Sequence, residues 1–321
     1  MSQSFKYQYS IQKCDVQDRV SLKLFREKRK EWMGKLHGDD FHSISFQLYC
    51  LAWREAIYST IDEAAKINSK ANNPATGINS AVLELIKEGF FRDQAIAIRR
   101  IVEAQSINPR KSVVTLTSLL EDIEKNLHLI TRENYISHDG LPFEYLPQKM
   151  KFMITAKNVS GSLPSAGRRA WMTSELLHKR FDKLSGVRSK RKRSRLDKIN
   201  PKWLKKLKNR LTTSRDILAV KLFVNKFIAH SADPKNRTRT QLTLKKIIKC
   251  QRILYEISNC LSAQFLFGPT MASPLPTPQY DHLENIDKPW VDIDGKARLH
   301  DHWNRLSRRY DVWNYNLFSG R

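Results

Sequence analysis

Lys226 and His230 are the side chains of this chain whose types and spacing best suit phosphate chemistry. They stand four apart in Thr212–Asp233, TTSRDILAVKLFVNKFIAHSAD, so a helix places both on one face, with Asn225 beside them. A cation and an imidazole together suit a phosphate group. The same pair would also complement the dipole of a helix C-terminus with no ligand present. The stretch carries its own helix signals. Thr212, Thr213 and Ser214 can cap, and Asp216 fits a first turn. Ile217, Val220, Val224 and Phe227 form one apolar stripe, and Pro234 forbids continuation.

The second chemical signal is charge. The chain holds 57 Lys and Arg against 32 Asp and Glu, a net +25 over 321 residues. That excess points to a polyanion, nucleic acid before membrane. It is densest at Arg188, Lys190, Arg191, Lys192, Arg193, Arg195 and Lys198, followed by Lys202, Lys205, Lys206, Lys208 and Arg210. Like charges this close repel, so the first half of the run reads as a loop that is mobile when free. From Pro201 the pattern turns helical, with Trp203, Leu204 and Leu207 facing in. The run leads directly into the Thr212–Asp233 helix and can deliver a polyanion to His230.

Other cations admit two readings. Arg26, Lys28, Arg29 and Lys30 mark a solvated or phosphate-facing side of a charged helix, and the solvated side is the expectation. Arg99 and Arg100 stand among isoleucines, so one of them snorkels, pairs with a carboxylate such as Asp122, or holds a phosphate in a groove. Arg132 and His138 are a second-choice site, expected on a loop marked by Asp139-Gly140 and Pro142 that also carries Phe143 and Tyr145.

Asn225-Lys226-Phe227-Ile228-Ala229-His230 resembles the signature helix of the HEPN superfamily, and IRRIVEA (98–104), SLLEDI (118–123) and TRENYISHDGLPFEY (131–145) resemble its abortive-infection, AbiU-type branch. The resemblance covers roughly residues 40 to 268. It implies an all-helical RNA-targeting protein of bacterial phage defence or a toxin system, with metal-independent ribonuclease chemistry. His230 would then move a proton at a 2′-OH or at the leaving 5′-oxygen, Asn225 would orient it, and Lys226 would stabilise charge. Val224 occupies the position where the family carries Arg, so Arg215, Arg237 or a second subunit would neutralise the phosphate. HEPN domains commonly pair, which implies a homodimer. The missing Arg supports a second reading, a non-catalytic nucleic-acid-binding or scaffold subunit of a defence or mobile-element complex. RNA is the expected partner ahead of DNA.

The elements that must position these residues are helical throughout. Phe46, Tyr49, Cys50, Trp53, Ile57, Ile61 and Ala64 form a stripe from about 41 to 68, with Trp53 and Ile57 expected in the core. Leu83, Ile86, Phe90, Ile98 and Val102 follow on a helix from Ser80. Leu116, Leu119, Leu120, Ile123 and Leu127 give a third, from Ser112 to about Ile130. Trp171, Leu176 and Leu177 face in on a fourth, and Leu244, Ile247, Leu254, Leu261 and Phe265 on a long helix that ends at Gly268-Pro269. The expected fold is an all-α antiparallel bundle over 39–268, with a basic insertion at about 186–210. A basic N-terminal arm and helix (1–38) precede it, and a Pro-rich arm and aromatic helix (269–321) follow.

In that last helix Trp303, Leu306, Tyr310 and Trp313 form a stripe that would dock on the bundle or on a partner protein. No phosphate loop, dinucleotide turn, HExxH or CxxC is present, so no metal or cofactor is expected. An N-terminus without an apolar core, and no apolar run of about 18 residues, point to a cytoplasmic protein without a membrane partner.

Overall fold

The computed structural model describes residues 6–38, 41–70, 79–104, 113–155, 164–187, 189–229, 242–269, 273–275, 277–286, 288 and 293–311. Among them are eleven α-helices and no strand; the one β-bridge joins Thr131 to Lys198. The fold is all-α, and among the described residues no helix is long and apolar enough to cross a membrane. The chain divides into two compact units, Met1–Glu63 with Asn79–Pro276, and Ala64–Ile78 with Thr277–Arg321.

In the first unit, α1 spans Arg19–His37 and is capped by Asp18, whose carboxylate accepts from the Ser21 amide at 2.8 Å. Its buried face is Leu22, Phe25, Arg26, Arg29, Trp32, Met33 and Leu36. Arg26 and Arg29 thus lie inside, against the expectation of a solvated face. The helical period places them there, and backbone carbonyls satisfy them: Arg26 Nε donates to His138 O at 2.7 Å and Arg29 Nε to Leu266 O at 2.7 Å.

α2 (Ile44–Lys70) buries Leu48, Leu51 and Tyr58. The core does not take Trp53 and Ile57, which are half-buried off that line. α3 (Ser80–Ile101) starts at Asn79, which caps the Ala81 amide at 2.9 Å, and buries Phe90, Ile98 and Ile101. Arg100 donates to Gln47 at 3.1 Å. Asp122, its proposed partner, is instead taken by Lys28 and by the Trp32 indole at 2.8 Å. α4 (Leu116–Lys125) begins four residues past the expected start at Ser112, where Thr115 and Ser118 cap each other's backbone. It buries Leu116, Leu119, Leu120 and Ile123, and a short 3₁₀ turn, Leu127–Leu129, follows.

The segment expected as a loop is a helix: α5, Arg132–Ser137, with all six residues buried and Thr131 as cap. α6 is Leu146–Thr155 and α7 is Trp171–Ser185. α7 buries Leu177, His178, Phe181 and Leu184, whereas Leu176, expected inside, is 60% exposed. α8 (Lys202–Thr213) buries Leu204, Leu207 and Leu211. α9 (Arg215–Phe223) buries Ile217 and Val220, and α10 (Leu244–Asn259) buries Ile247, Cys250, Leu254 and Ile257. Residues from α1, α3, α4, α7, α8, α9 and α10 share one core.

The second unit contains α11, Ile293–Asp311. Its Trp303 is 72% exposed; the side chains of Leu306, Tyr310 and Trp313 lie outside the described residues.

Candidate nucleic-acid interface

The basic run is built as a platform. α7 ends at Gly186, whose φ of 81° closes the helix in the left-handed region. The chain then makes a short turn, Lys190–Lys192, with all three side chains exposed. From Arg193 it is fastened rather than mobile. Backbone amides of Arg132 and Glu133 donate to Asp197 O and Arg195 O at 2.8 and 3.0 Å, and Asn200 N reaches Leu184 O at 2.9 Å. The expectation of a loose loop overlooked the carboxylates that these cations meet on other elements.

Those pairs separate the cations into two groups. Arg193 grips Asp182 through Nη2 at 2.6 Å and Nε at 3.1 Å. Arg195 binds Glu133 at 2.6 Å and Asp15 at 3.2 Å, its guanidinium 4.2 Å from the Phe143 ring centroid. Burial alone would raise the Asp182 carboxyl, but hydrogen bonds from Arg193 and Arg132 outweigh it and hold it below its usual value. Arg193 and Arg195, candidates for nucleic-acid contact, are therefore engaged by the fold.

Six further candidates face solvent. Lys190, Arg191, Lys192, Lys202, Lys205 and Lys206 are exposed with no carboxylate partner among the described residues. Lys202, Lys205 and Lys206 occupy the side of α8 opposite Leu204, Leu207 and Leu211. Trp203, expected inside, is 38% exposed at the flank between that side and the buried one. Its indole N–H is held by Lys183 O at 3.3 Å, and Lys206 Nζ lies 5.7 Å from its ring centroid. Lys208 and Arg210 are paired, with Glu124 and Glu256. Arg188 lies outside the described residues, and Arg215 is exposed at the start of α9.

Past α9 the winding loosens: Val224–Ala229 form a π-helical segment. One wider turn shifts the later residues around the axis. Val224 stays buried, while Phe227, expected on the inner stripe, is 37% exposed and stacks on Phe223 at 5.3 Å. Asn225 is exposed and Lys226 half-buried. His230 and Arg237 lie outside the described residues. α3 packs against α9 and this segment, and brings Arg99, with Glu103 just past its end, near Lys221. Burial lowers the Lys221 amine, with Arg99 adding to the effect and Glu103 opposing it. Arg99 is the cation the sequence did not connect to this helix. Its isoleucine neighbours signalled an inward setting but not which helix it would face.

Arg132 and His138 do not form an accessible pair. Arg132 is fully buried, donating to Asp197 and Asp182 at 2.8 Å each, with Phe181 4.9 Å below. His138 is buried, its Nδ1–H directed to Tyr135 O at 3.0 Å. Burial, with Arg29 and Arg26 nearby, holds its imidazole neutral, well below the usual histidine range. His178 is also buried and neutral, pushed down to about 4, with Nε2–H on Phe143 O at 3.0 Å.

None of the family models, curated proteins or solved structures compared with the chain matches it.

Proposed function

We propose that the chain binds nucleic acid through the Lys190–Lys192 turn and the outer face of α8, and that RNA is its ligand. The observation that carries this reading is the contrast within one basic run: Arg193 and Arg195 anchor the run to Asp182, Asp15 and the buried Glu133, while six neighbouring cations face solvent with no carboxylate partner among the described residues, Lys206 of them beside Trp203. A cationic ridge with an aromatic face tracks a phosphate backbone and stacks a base. With the resemblance of 40–268 to HEPN proteins, the chain is read as an RNA-targeting protein of bacterial phage defence or a toxin system.

A second reading adds cleavage at Asn225, Lys226 and His230. It is favoured by the π-helical segment that turns Asn225 outward, since such segments recur at functional sites, and by Arg99, which supplies a guanidinium near a helix that carries Val224 in place of Arg. The deciding experiment incubates labelled single-stranded RNA and duplex DNA with the full chain in EDTA, over a salt series. RNA binding that falls steeply with salt and is lost in Lys202→Ala/Lys205→Ala/Lys206→Ala supports the first reading; salt-independent binding rejects it. Cleavage abolished by His230→Ala adds the second, and intact RNA leaves the chain a non-catalytic binder.

A further inference from the structure

A cavity of about 260 Å³ opens within the first unit, away from the basic ridge, lined by Lys6, Tyr7, Arg29, His138, Asp139 and Phe267 among others. Arg29 is its unusual wall. The side chain is 8% exposed, yet no carboxylate pairs with it among the described residues. Two of its N–H groups are held by Leu266 O at 2.7 Å and Phe267 O at 3.0 Å. Its face lies 5.9 Å from the Tyr7 ring centroid. Neutral carbonyls satisfy donors but do not cancel charge, and a desolvated cation without a counter-ion is costly. The residue these contacts clamp, Phe267, has φ of 45°, in the left-handed region that a bulky side chain seldom adopts. The clamp therefore sits on a strained residue of the cavity wall.

The histidine sets the chemistry of what fits. His138 spends Nδ1–H on Tyr135 O, so Nε2 is an acceptor with no donor among the described residues. A group that satisfies both Arg29 and Nε2 must be anionic and also carry a proton to donate. A carboxylate or sulfate-ester head group is an acceptor only and needs a separate donor elsewhere on the ligand. A phosphate monoester in its monoanionic form offers both. The apolar walls, Tyr7, Leu141 and Phe267, suit a flat organic group attached to it. The cavity's one lining carboxylate, Asp139, is occupied by the Tyr9 amide at 3.0 Å and faced by Arg26 at 3.9 Å. With Lys6 at the mouth, the balance of charge is positive.

We propose that this cavity is a binding site for a small organic phosphate monoester. Arg29 and Lys6 hold its anionic oxygens, His138 Nε2 accepts from its P–OH, and Tyr7 and Phe267 flank the organic group. The site does not depend on the RNA reading and uses none of its residues. Affinity should rise as pH falls through about 6, where the ester gains its proton. The groups facing His138 are Tyr7, Cys14, Arg26, Arg29 and Asp139. Burial raises the phenol of Tyr7 and the thiol of Cys14, which removes both from that range.

The test is isothermal titration of the full chain at about pH 5.5, where the phosphate ester is mostly the monoanion, with phenyl phosphate and with phenyl sulfate, an isostere that carries no proton there. Expected is saturable binding of phenyl phosphate, about tenfold tighter than the sulfate, the worth of one charge-assisted hydrogen bond. Lys6→Met should weaken it severalfold, and Lys202→Ala/Lys205→Ala/Lys206→Ala should leave it unchanged. Equal affinity for the two esters, absence of saturable binding, or loss in the triple variant with retention in Lys6→Met would each overturn the proposal. The comparison of esters needs no variant, so it stands even if Arg29→Lys, which loses the two-carbonyl clamp, fails to fold.

Discussion

Replacing Arg132 with Met tests whether the basic platform is held from beneath. The side chain is fully buried, and its guanidinium joins α5 to α7 through Asp182 and to the platform through Asp197, at 2.8 Å each. Methionine keeps much of the length and removes all the donors. Losing one partner of a buried pair costs about 3–5 kcal/mol, because the stranded charges stay buried. Here each carboxylate keeps something: Asp182 retains Arg193 at 2.6 Å, and Asp197 retains the Ser194 amide at 3.0 Å. The lower end, about 3 kcal/mol, is therefore expected, or roughly 6–12 °C in Tm at about 2–4 °C per kcal/mol. Arg132→Lys should fall between, keeping the charge but not the fork that reaches both aspartates. The assay is urea and thermal unfolding of both variants and of Asp182→Asn, combined as a double-mutant cycle. Nucleic-acid affinity measured at a temperature where the variant is folded should also drop, since the segment carrying Lys198 and leading to α8 loses its tether. A stability change below about 1 kcal/mol would refute the reasoning, as it would place Arg132 with ordinary surface pairs. Normal stability with lost RNA cleavage would instead make Arg132 part of a catalytic site.

Three further outcomes are expected. His178 has a folded value of about 4 against the ordinary 6.5, so the unfolded chain binds its proton first as pH falls. Its contribution is intact above about 6.5 and is lost between there and about 4, worth up to about 3 kcal/mol, and pH-dependent urea midpoints of wild type and His178→Phe should differ in slope across that window. Gly140→Ala should destabilise by about 2 kcal/mol or more, because φ is 80° and the added Cβ would stand 2.5 Å from the Tyr9 ring; a Tm within error of wild type would contradict this. Trp203→Ala should weaken single-stranded RNA by about 1–3 kcal/mol while leaving duplex DNA nearly unaffected, as filter-binding titrations would report; equal losses would remove Trp203 from base stacking.

The sequence alone determined the class of fold and the sign of the surface. Helical periodicity at Leu116, Leu119, Leu120 and Ile123, and at Leu204, Leu207 and Leu211, is a local property, and those residues are buried as their spacing requires. The same period held the clue to α1, where Arg26 and Arg29 repeat with Leu22, Met33 and Leu36. Residue type argued against burial, and only partners distant in the chain reversed it. Arg29 meets a carbonyl 237 positions away, and Arg132 meets Asp197 across 65. Net charge is a sum and can be read from composition, whereas the division of that charge into structural and exposed cations depends on where carboxylates arrive. Tertiary structure alone therefore decided that Arg193 and Arg195 are anchors, that Trp203 is exposed, and that the Arg132–Ser137 segment is a buried helix. It also decided that Arg29 lines a cavity with no carboxylate partner among the described residues, because desolvation and pairing are properties of a place in the fold and not of a residue type.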